Sequence, residues 1–195
     1  MSVRRKSLLV AVLALLIALS VTGVALAGGN ARKGSETRAA DRQPASAPVS
    51  LSASQADELL YLLEEEKLAR DVYRALYEKW GEEAFSKIST SESRHMTSVQ
   101  RLVERYGLAL PQTLATPRTY DDAELQQMYA DLMARGRASL DAALEVGVMI
   151  ETVDIEDLQR LLASDGLPRD VDRVAGNLLK GSQNHLASFE RLLAE

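Results

Sequence analysis

The two histidines of the chain, His95 and His185, each lie in the middle of a predicted helix. His95 ends a Glu-x-x-His pair that begins at Glu92, and Glu66 and Glu151 occupy the equivalent inward position of two other helices. Carboxylates on an apolar helix face need a compensating cation, because burying an unpaired charge costs several kcal/mol. Glutamate and histidine on facing helices of a bundle form the ligand set of dinuclear iron or manganese sites. These residues therefore predict a metal centre.

Four long helices with apolar residues at three- and four-residue spacing must position these side chains. Their predicted ranges are Gln55–Trp80 with Ser54 as N-cap, Glu83–Tyr106, Arg137–Ala163 and Arg169–Leu193. In each helix the apolar stripe is interrupted near its middle by polar residues. Because the middle layers of four neighbouring helices coincide in space, we expect the interruptions to converge on one buried polar pocket.

The connections between the helices predict the topology. The 81–83 turn is short, so the first two long helices are antiparallel. The 107–136 segment contains Pro111 and Pro117 and a predicted short helix from Asp122 to Arg135. It is long enough to cross the bundle, so the second and third long helices can run in the same direction. The predicted fold class is all-α, a four-helix bundle with a long crossover between helices 2 and 3.

The N-terminus reads as a targeting segment. Arg4, Arg5 and Lys6 precede an apolar run over 8–19, and Ala25-Leu26-Ala27 is a small-residue cleavage site. Residues 1–27 therefore predict a secretory signal peptide and an exported protein, periplasmic or extracellular. The alternative is an uncleaved membrane anchor, since Ser7 to Leu26 approaches the ~20 residues that span a bilayer. The paired arginines also leave twin-arginine export open beside the general secretory route.

The amino-acid composition predicts a flexible linker followed by a folded domain. Residues 28–53 are rich in Gly, Ala, Ser and Pro, which predicts a flexible linker, and residues 54–195 have the size of one domain. Loss of the three basic residues of the signal leaves 20 basic against 28 acidic residues. This negative balance argues against nucleic acid as a partner. A membrane would be contacted only through an uncleaved N-terminus, and a homodimer is left open.

The chain contains no cysteine. This excludes disulfides, thiolate zinc sites and cysteine catalysis, so a metal must be held by oxygen and nitrogen ligands. We expect two iron or manganese ions as cofactors, with no haem and no iron–sulfur cluster.

Several motifs resemble a known family. The segment Glu66 to Tyr73 has the Glu-x-x-Ala-x-x-x-Tyr pattern of the first helix of rubrerythrins and related ferritin-like proteins. The run 85–99 is similar to their second helix, 150–158 to their third, and 184–192 to the end of their fourth. The resemblance covers about residues 55–195 and is closest to the DUF2202 family. It implies a ferritin-like bundle and a dinuclear carboxylate site.

One position departs from the ferritin-like pattern. Ser182 stands three residues before His185, where such proteins usually carry glutamate. The resemblance implies that Asp154, one turn beyond Glu151, supplies the missing oxygen. Tyr73 and Ser182 are expected beside the metal ligands rather than among them.

Each proposed ligand has a simpler interpretation. Glu66, beside Glu64 and Glu65, could belong to a solvated acidic face, and Glu92 with His95 could be an exposed pair. Glu145 competes with Glu151 for the inward position. His185 could be a core histidine bound by a neighbour.

Two functional hypotheses follow. The first is an exported redox or metal-handling protein that binds metal ions and, between them, dioxygen or peroxide, with a ferroxidase or peroxidase-like oxidoreductase as the candidate enzyme. The second is a bundle without metal that serves as a binding or structural module of the cell envelope, and Ser182 is its main support.

Overall fold

The computed structural model describes residues 50–195, and these form five helices and no strand. The helices are α1 (Ala53–Trp80), α2 (Glu83–Arg105), α3 (Ala123–Gly136), α4 (Leu140–Leu162) and α5 (Arg169–Leu193). The predicted all-α bundle is confirmed. The proposed signal peptide and nearly all of the proposed linker lie outside the described residues. None of the helices in residues 50–195 combines the length and the hydropathy that a membrane-spanning helix needs.

Two adjacent helix pairs make the bundle. α1 packs along α2, and α4 packs along α5. The pairs then meet through α1 against α4 and α2 against α5, while the short α3 packs on α1 and α4. The crossover therefore lies over the side of the bundle that α1 and α4 present.

The helix ends depend on local capping. The predicted cap Ser54 is wrong: Ser52 caps α1, with Gln55 N donating to Ser52 Oγ at 3.2 Å and Ser52 N donating to Gln55 Oε1 at 2.9 Å. This reciprocal pair starts the helix at Ala53. Ser139 similarly caps α4, whose first residue is Leu140 rather than the predicted Arg137. α5 has the predicted bounds.

The apolar core is divided into two clusters by a polar layer. One cluster surrounds Tyr73, Phe85 and Phe189 at the end near the α1–α2 turn. The other surrounds Leu63, Val103 and residues of α4 and α5 at the opposite end. Buried polar side chains of α1, α2, α4 and α5 lie between them. Apolar packing on both sides fixes the heights of the four helices, and so places the polar residues in one layer.

The crossover is held to α1 by two buried acids. Both oxygens of Glu64 accept backbone N–H groups, from Asp121 at 2.7 Å and Asp122 at 3.1 Å. Asp71 accepts from the ammonium of Lys67 at 2.9 Å and from the guanidinium of Arg70 at 2.8 Å.

Asp71 also binds the crossover directly. It accepts the backbone N–H of Arg118 at 2.9 Å and the hydroxyl of Tyr120 at 3.3 Å. Arg118 has φ 63°, in the left-handed region that few residues other than glycine adopt. The bond to Asp71 therefore helps hold a strained turn in place.

Replacing Asp71 with Asn should destabilise the domain by about 3 to 5 kcal/mol, because it leaves the buried Lys67 ammonium without its anion. Burial on its own raises the pKa of Asp71, but the N–H of Arg118 and the Lys67 ammonium outweigh it and lower the pKa below its usual 3.8. The stabilisation is thus present above that usual value and lost as pH falls through the lower folded value. Urea unfolding at pH 7 and at acidic pH measures both effects.

Glu78→Gln is the control, because Glu78 makes an exposed ion pair with Arg118. It should change the free energy of unfolding little. Equal stabilities of Asp71→Asn and Glu78→Gln at pH 7 would contradict the assigned role of Asp71.

Candidate metal centre

The polar layer receives a side chain from each of four helices. α1 supplies Glu66, α2 supplies Glu92 and His95, α4 supplies Glu151, and α5 supplies His185. The three glutamates are each 2% exposed. The imidazoles of His95 and His185 are 13% and 12% exposed. The layer is therefore buried, with its more open edge at the imidazoles between α2 and α5.

The five side chains form two groups of three that share Glu92. One group is Glu66, Glu92 and His95, the other is Glu92, Glu151 and His185, and the ligand atoms within each group lie within 4.8 Å of one another. The Nδ1 atom of His95 is 2.8 Å from Glu92 Oε2, and the Nδ1 atom of His185 is 2.7 Å from Glu92 Oε1. Each oxygen of Glu92 thus faces a different imidazole. Glu92 is therefore the carboxylate common to the two groups.

The outer carboxylates complete the two groups at longer distances. Glu66 Oε2 is 3.4 Å from His95 Nδ1, and Glu151 Oε2 is 3.5 Å from His185 Nδ1. The two imidazole rings stack with centroids 5.6 Å apart.

Several atoms in the layer have no hydrogen-bond partner. They are Glu66 Oε1, Glu92 Oε1, His95 Nδ1 and His185 Nδ1. The close nitrogen–oxygen contacts at Glu92 bring these atoms together without the directions that a hydrogen bond needs. Buried polar atoms are nearly always satisfied, so four orphaned ligand atoms in one layer fit metal ions that lie among them.

The electrostatics of the layer follow from the burial of several carboxyl groups close together. Burial raises the pKa of Glu66 well above its ordinary value, and the charges of Asp154 and Glu92 raise it further. Burial likewise raises the pKa of Glu151 to about 8, although contact with His185 opposes the rise. In the absence of metal, these two carboxyl groups are therefore favoured in the neutral form.

The pKa of the central carboxyl group, Glu92, shifts in the opposite direction. Burial alone would raise the pKa of Glu92, but contacts with His185 and His95 outweigh it and lower the pKa to about 2. Burial opposes protonation of His185, yet its contacts with Glu151 and Glu92 raise the pKa to about 9. Without metal, two imidazolium rings can therefore supply the positive charge that faces Glu92.

The residues expected beside the ligands are also in the layer. The hydroxyl of Tyr73 donates to Glu151 Oε1 at 2.7 Å, which leaves Oε2 to face His185. The hydroxyl of Ser182 is within hydrogen-bonding distance of Asp154 Oδ2 and of the Leu178 carbonyl. Asp154 belongs to neither group of three, and its Oδ1 is buried without a partner. Burial raises the pKa of Asp154 to about 7 against the effect of Ser182.

The structure also bears on the simpler interpretations. Glu64, Glu65 and Glu66 are all buried, so the solvated acidic face is wrong. Glu92 is buried, so it is not part of an exposed pair. Glu145 pairs with Arg135, whereas Glu151 points into the layer.

Comparison with known proteins places the chain in a family. A family model described as an uncharacterized protein domain, DUF2202, matches residues 55–195. The chain belongs to the DUF2202 family. The uncharacterized protein MJ0754 of Methanocaldococcus jannaschii is 37% identical over 143 residues, which are 73% of this chain and 77% of that protein. The crystal structure of hypothetical protein MJ0754 from Methanococcus jannaschii matches with a TM-score of 0.71 at 35% identity, covering 80% of this chain and 86% of that one.

One residue of this DUF2202 domain that shapes the centre has no signature in the sequence pattern. Gly181 lies in the interior of α5, and a Cβ atom there would be 2.6 Å from both Cε1 and Nε2 of His95. Glycine at this position leaves the space that the imidazole fills. A glycine inside a helix is less stable than an alanine at the same position. The space that the His95 ring needs therefore explains why glycine is found here.

Gly181→Ala should therefore turn the His95 ring out of place and lower the metal content of the DUF2202 domain. Gly176→Ala is the matched control, since nothing lies within 4 Å of a Cβ atom on Gly176 in the same helix. The control should keep its metal and gain up to about 1 kcal/mol of stability from helix propensity. Elemental analysis and thermal melting measure both. The proposed role of Gly181 is refuted if the two variants behave alike.

Proposed function

We propose that the domain holds two iron or manganese ions in the polar layer and that the protein has a redox or metal-handling role. The observation that carries the proposal is Glu92, whose two oxygens each face a different imidazole in a buried layer of orphaned ligand atoms. Oxygen and imidazole ligands suit both metals. The family model and the similarity to MJ0754 support the fold.

Each side chain has a definite part in this proposal. Glu66 and His95 would hold one ion, Glu151 and His185 would hold the other, and Glu92 would be a ligand common to both. Tyr73 donates to Glu151 and so orients that carboxylate. When bound, a pair of such metals would supply electrons to a small oxidant such as dioxygen or peroxide, and the metals would be oxidised as the oxidant is reduced. A ferroxidase or peroxidase-like activity is therefore the reaction class that we propose to test first.

The surrounding residues control access to the layer. Apolar clusters on both sides exclude water along the bundle axis. The imidazole edge is partly exposed and is therefore where a small molecule could approach. Exclusion of bulk water strengthens electrostatic interactions inside the layer.

Export remains part of the proposal and rests on the N-terminal sequence alone. A basic cluster, an apolar run and Ala25-Leu26-Ala27 support cleavage after residue 27. The protein recovered from the periplasm or medium should then begin at Gly28, which intact-mass measurement checks. Recovery of the uncut chain in the membrane fraction would favour the anchor instead.

A second candidate function is a bundle without metal. It is favoured by Ser182, whose hydroxyl contacts Asp154 where the ferritin-like pattern has a metal-binding glutamate. In this case His95 and His185, as imidazolium ions, would balance the buried carboxylates permanently. The two candidates differ in their response to added metal. Ions that bind the folded state raise its melting temperature, whereas a structural bundle is indifferent to them.

The shared position of Glu92 predicts a graded loss of metal. Glu92→Gln should remove both ions because it damages both groups of three, whereas Glu66→Gln should remove one. The expected contents are about two ions per domain for the wild type, one for Glu66→Gln and none for Glu92→Gln. Mn(II) electron paramagnetic resonance and elemental analysis count the ions.

Glu104→Gln on the exposed face of α2 is the matched control and should keep two ions. A wild-type protein that binds no Mn(II) or Fe(II), with an unchanged melting temperature, would leave the structural bundle as the function. One ion in the wild type and in Glu66→Gln alike would contradict the shared role of Glu92.

A further inference from the structure

A second set of unsatisfied carboxylates adjoins the proposed metal centre. Glu65 Oε2 and Asp154 Oδ1 are buried without a hydrogen-bond partner, as is Glu66 Oε1. Glu65 is 8% exposed although it lies next to Glu66 in the middle of α1. The proposed metal positions use Glu66 but give Glu65 no role. Its burial and its orphaned oxygen therefore need an explanation of their own.

Helix geometry places this set on a line that leads away from the centre. Glu151, Asp154 and Asp157 succeed one another at three-residue intervals on α4, about 4.5 Å along the axis per step. On the neighbouring α1, the step from Glu66 to Glu65 leads toward the same end of the bundle, where Leu63 and Leu158 share a core cluster. Glu65 and Asp157 accordingly lie on the same side of the polar layer.

The line reaches the surface at Asp157. The side chain of Asp157 is 18% exposed and forms an ion pair with Arg160. After burial, the largest effects on the pKa of Glu65 come from the neighbouring carboxylates of Asp157 and Asp154. Burial together with these charges raises the pKa of Glu65 well above its ordinary value. The Arg160 guanidinium thus balances Asp157, whereas the buried Glu65 Oε2 has no hydrogen-bond partner.

We propose that Asp157, Glu65 and Asp154 form a transit site through which a divalent cation passes from the partly exposed Asp157 to the metal centre. The inference rests on the proposed function. Carboxylate oxygens suit hydrated Mn(II) and Fe(II), and an acidic cleft raises the local concentration of cations and their rate of entry. The three acids would bind the ion transiently, because they lie outside both groups of candidate ligands that share Glu92.

This route is separate from the imidazole edge. His95 and His185 line the edge between α2 and α5, whereas the acids begin at the partly exposed Asp157 of α4 and end at Asp154, which contacts Ser182. The arrangement thus gives cations an oxygen-lined approach on one side of the bundle. A small neutral oxidant would instead approach from the imidazole edge.

The test is the rate at which metal-free full-length protein takes up Co(II), followed by stopped-flow absorbance, and the number of ions bound at the end. Glu65→Gln and Asp157→Asn should each slow loading by about 10-fold or more while the final count stays at two. Glu156→Gln removes the same charge from the neighbouring residue of α4 and should load at the wild-type rate. Thermal melting of each metal-free variant confirms that it is folded.

The outcomes of the Co(II) uptake measurement distinguish the transit site from its alternatives. Wild-type rates in Glu65→Gln and Asp157→Asn would overturn the transit site. Equal slowing in Glu156→Gln would also overturn it, because surface charge alone would then be responsible. A final count below two in Glu65→Gln would make Glu65 a ligand rather than a point of passage. A wild type that takes up no Co(II) would instead refute the proposed function itself.

Discussion

The charge balance of the polar layer is the constraint to which the rest of the structure is fitted. Glu66, Glu92 and Glu151 are withdrawn from water almost completely, and they face two imidazoles rather than lysine or arginine. Such a layer is stable only if positive charge enters it, as protons on the histidines and outer carboxyl groups or as metal ions. Both apolar clusters and the helix pairings hold the layer in register whichever cation is present. The fold can therefore keep the ligand atoms together before any metal arrives.

The basic residues of α1 that follow Glu66 bind an acid on the side of the helix that faces the crossover. Lys67 and Arg70 lie only one and four residues beyond Glu66, yet both bind Asp71 on the side of α1 that faces the crossover. Glu64 also faces that side and binds the start of α3. Neighbouring residues of one helix thus serve two unrelated purposes. One face completes the layer, and the other fastens the connection that closes the bundle.

The sequence predicted the bundle and the convergence of its polar interruptions because both depend on helical periodicity. Glu66, Glu92 and Glu151 lie on apolar stripes, and neighbouring apolar residues force them inward. Periodicity could not show that Glu64 and Glu65 are buried, because the crossover that covers α1 has no periodic pattern. The role of Gly181 was also inaccessible, since it depends on the position of a ring from another helix. The Ser52–Gln55 capping box, by contrast, has the Ser-x-x-Gln sequence pattern, and this pattern identifies Ser52 rather than Ser54 as the cap.

The enclosure of α1 has a consequence for the motions of the domain. All residues from Leu62 to Tyr73 are buried, so this stretch touches protein on every side, whereas α5 is buried along one face. Local opening releases segments with few buried contacts, and the middle of α1 has no exposed face by which to separate from its neighbours. Its amide hydrogens can exchange with solvent only when the whole domain unfolds. Local opening of α5, by contrast, would carry His185 out of the layer while Glu66 stays in place.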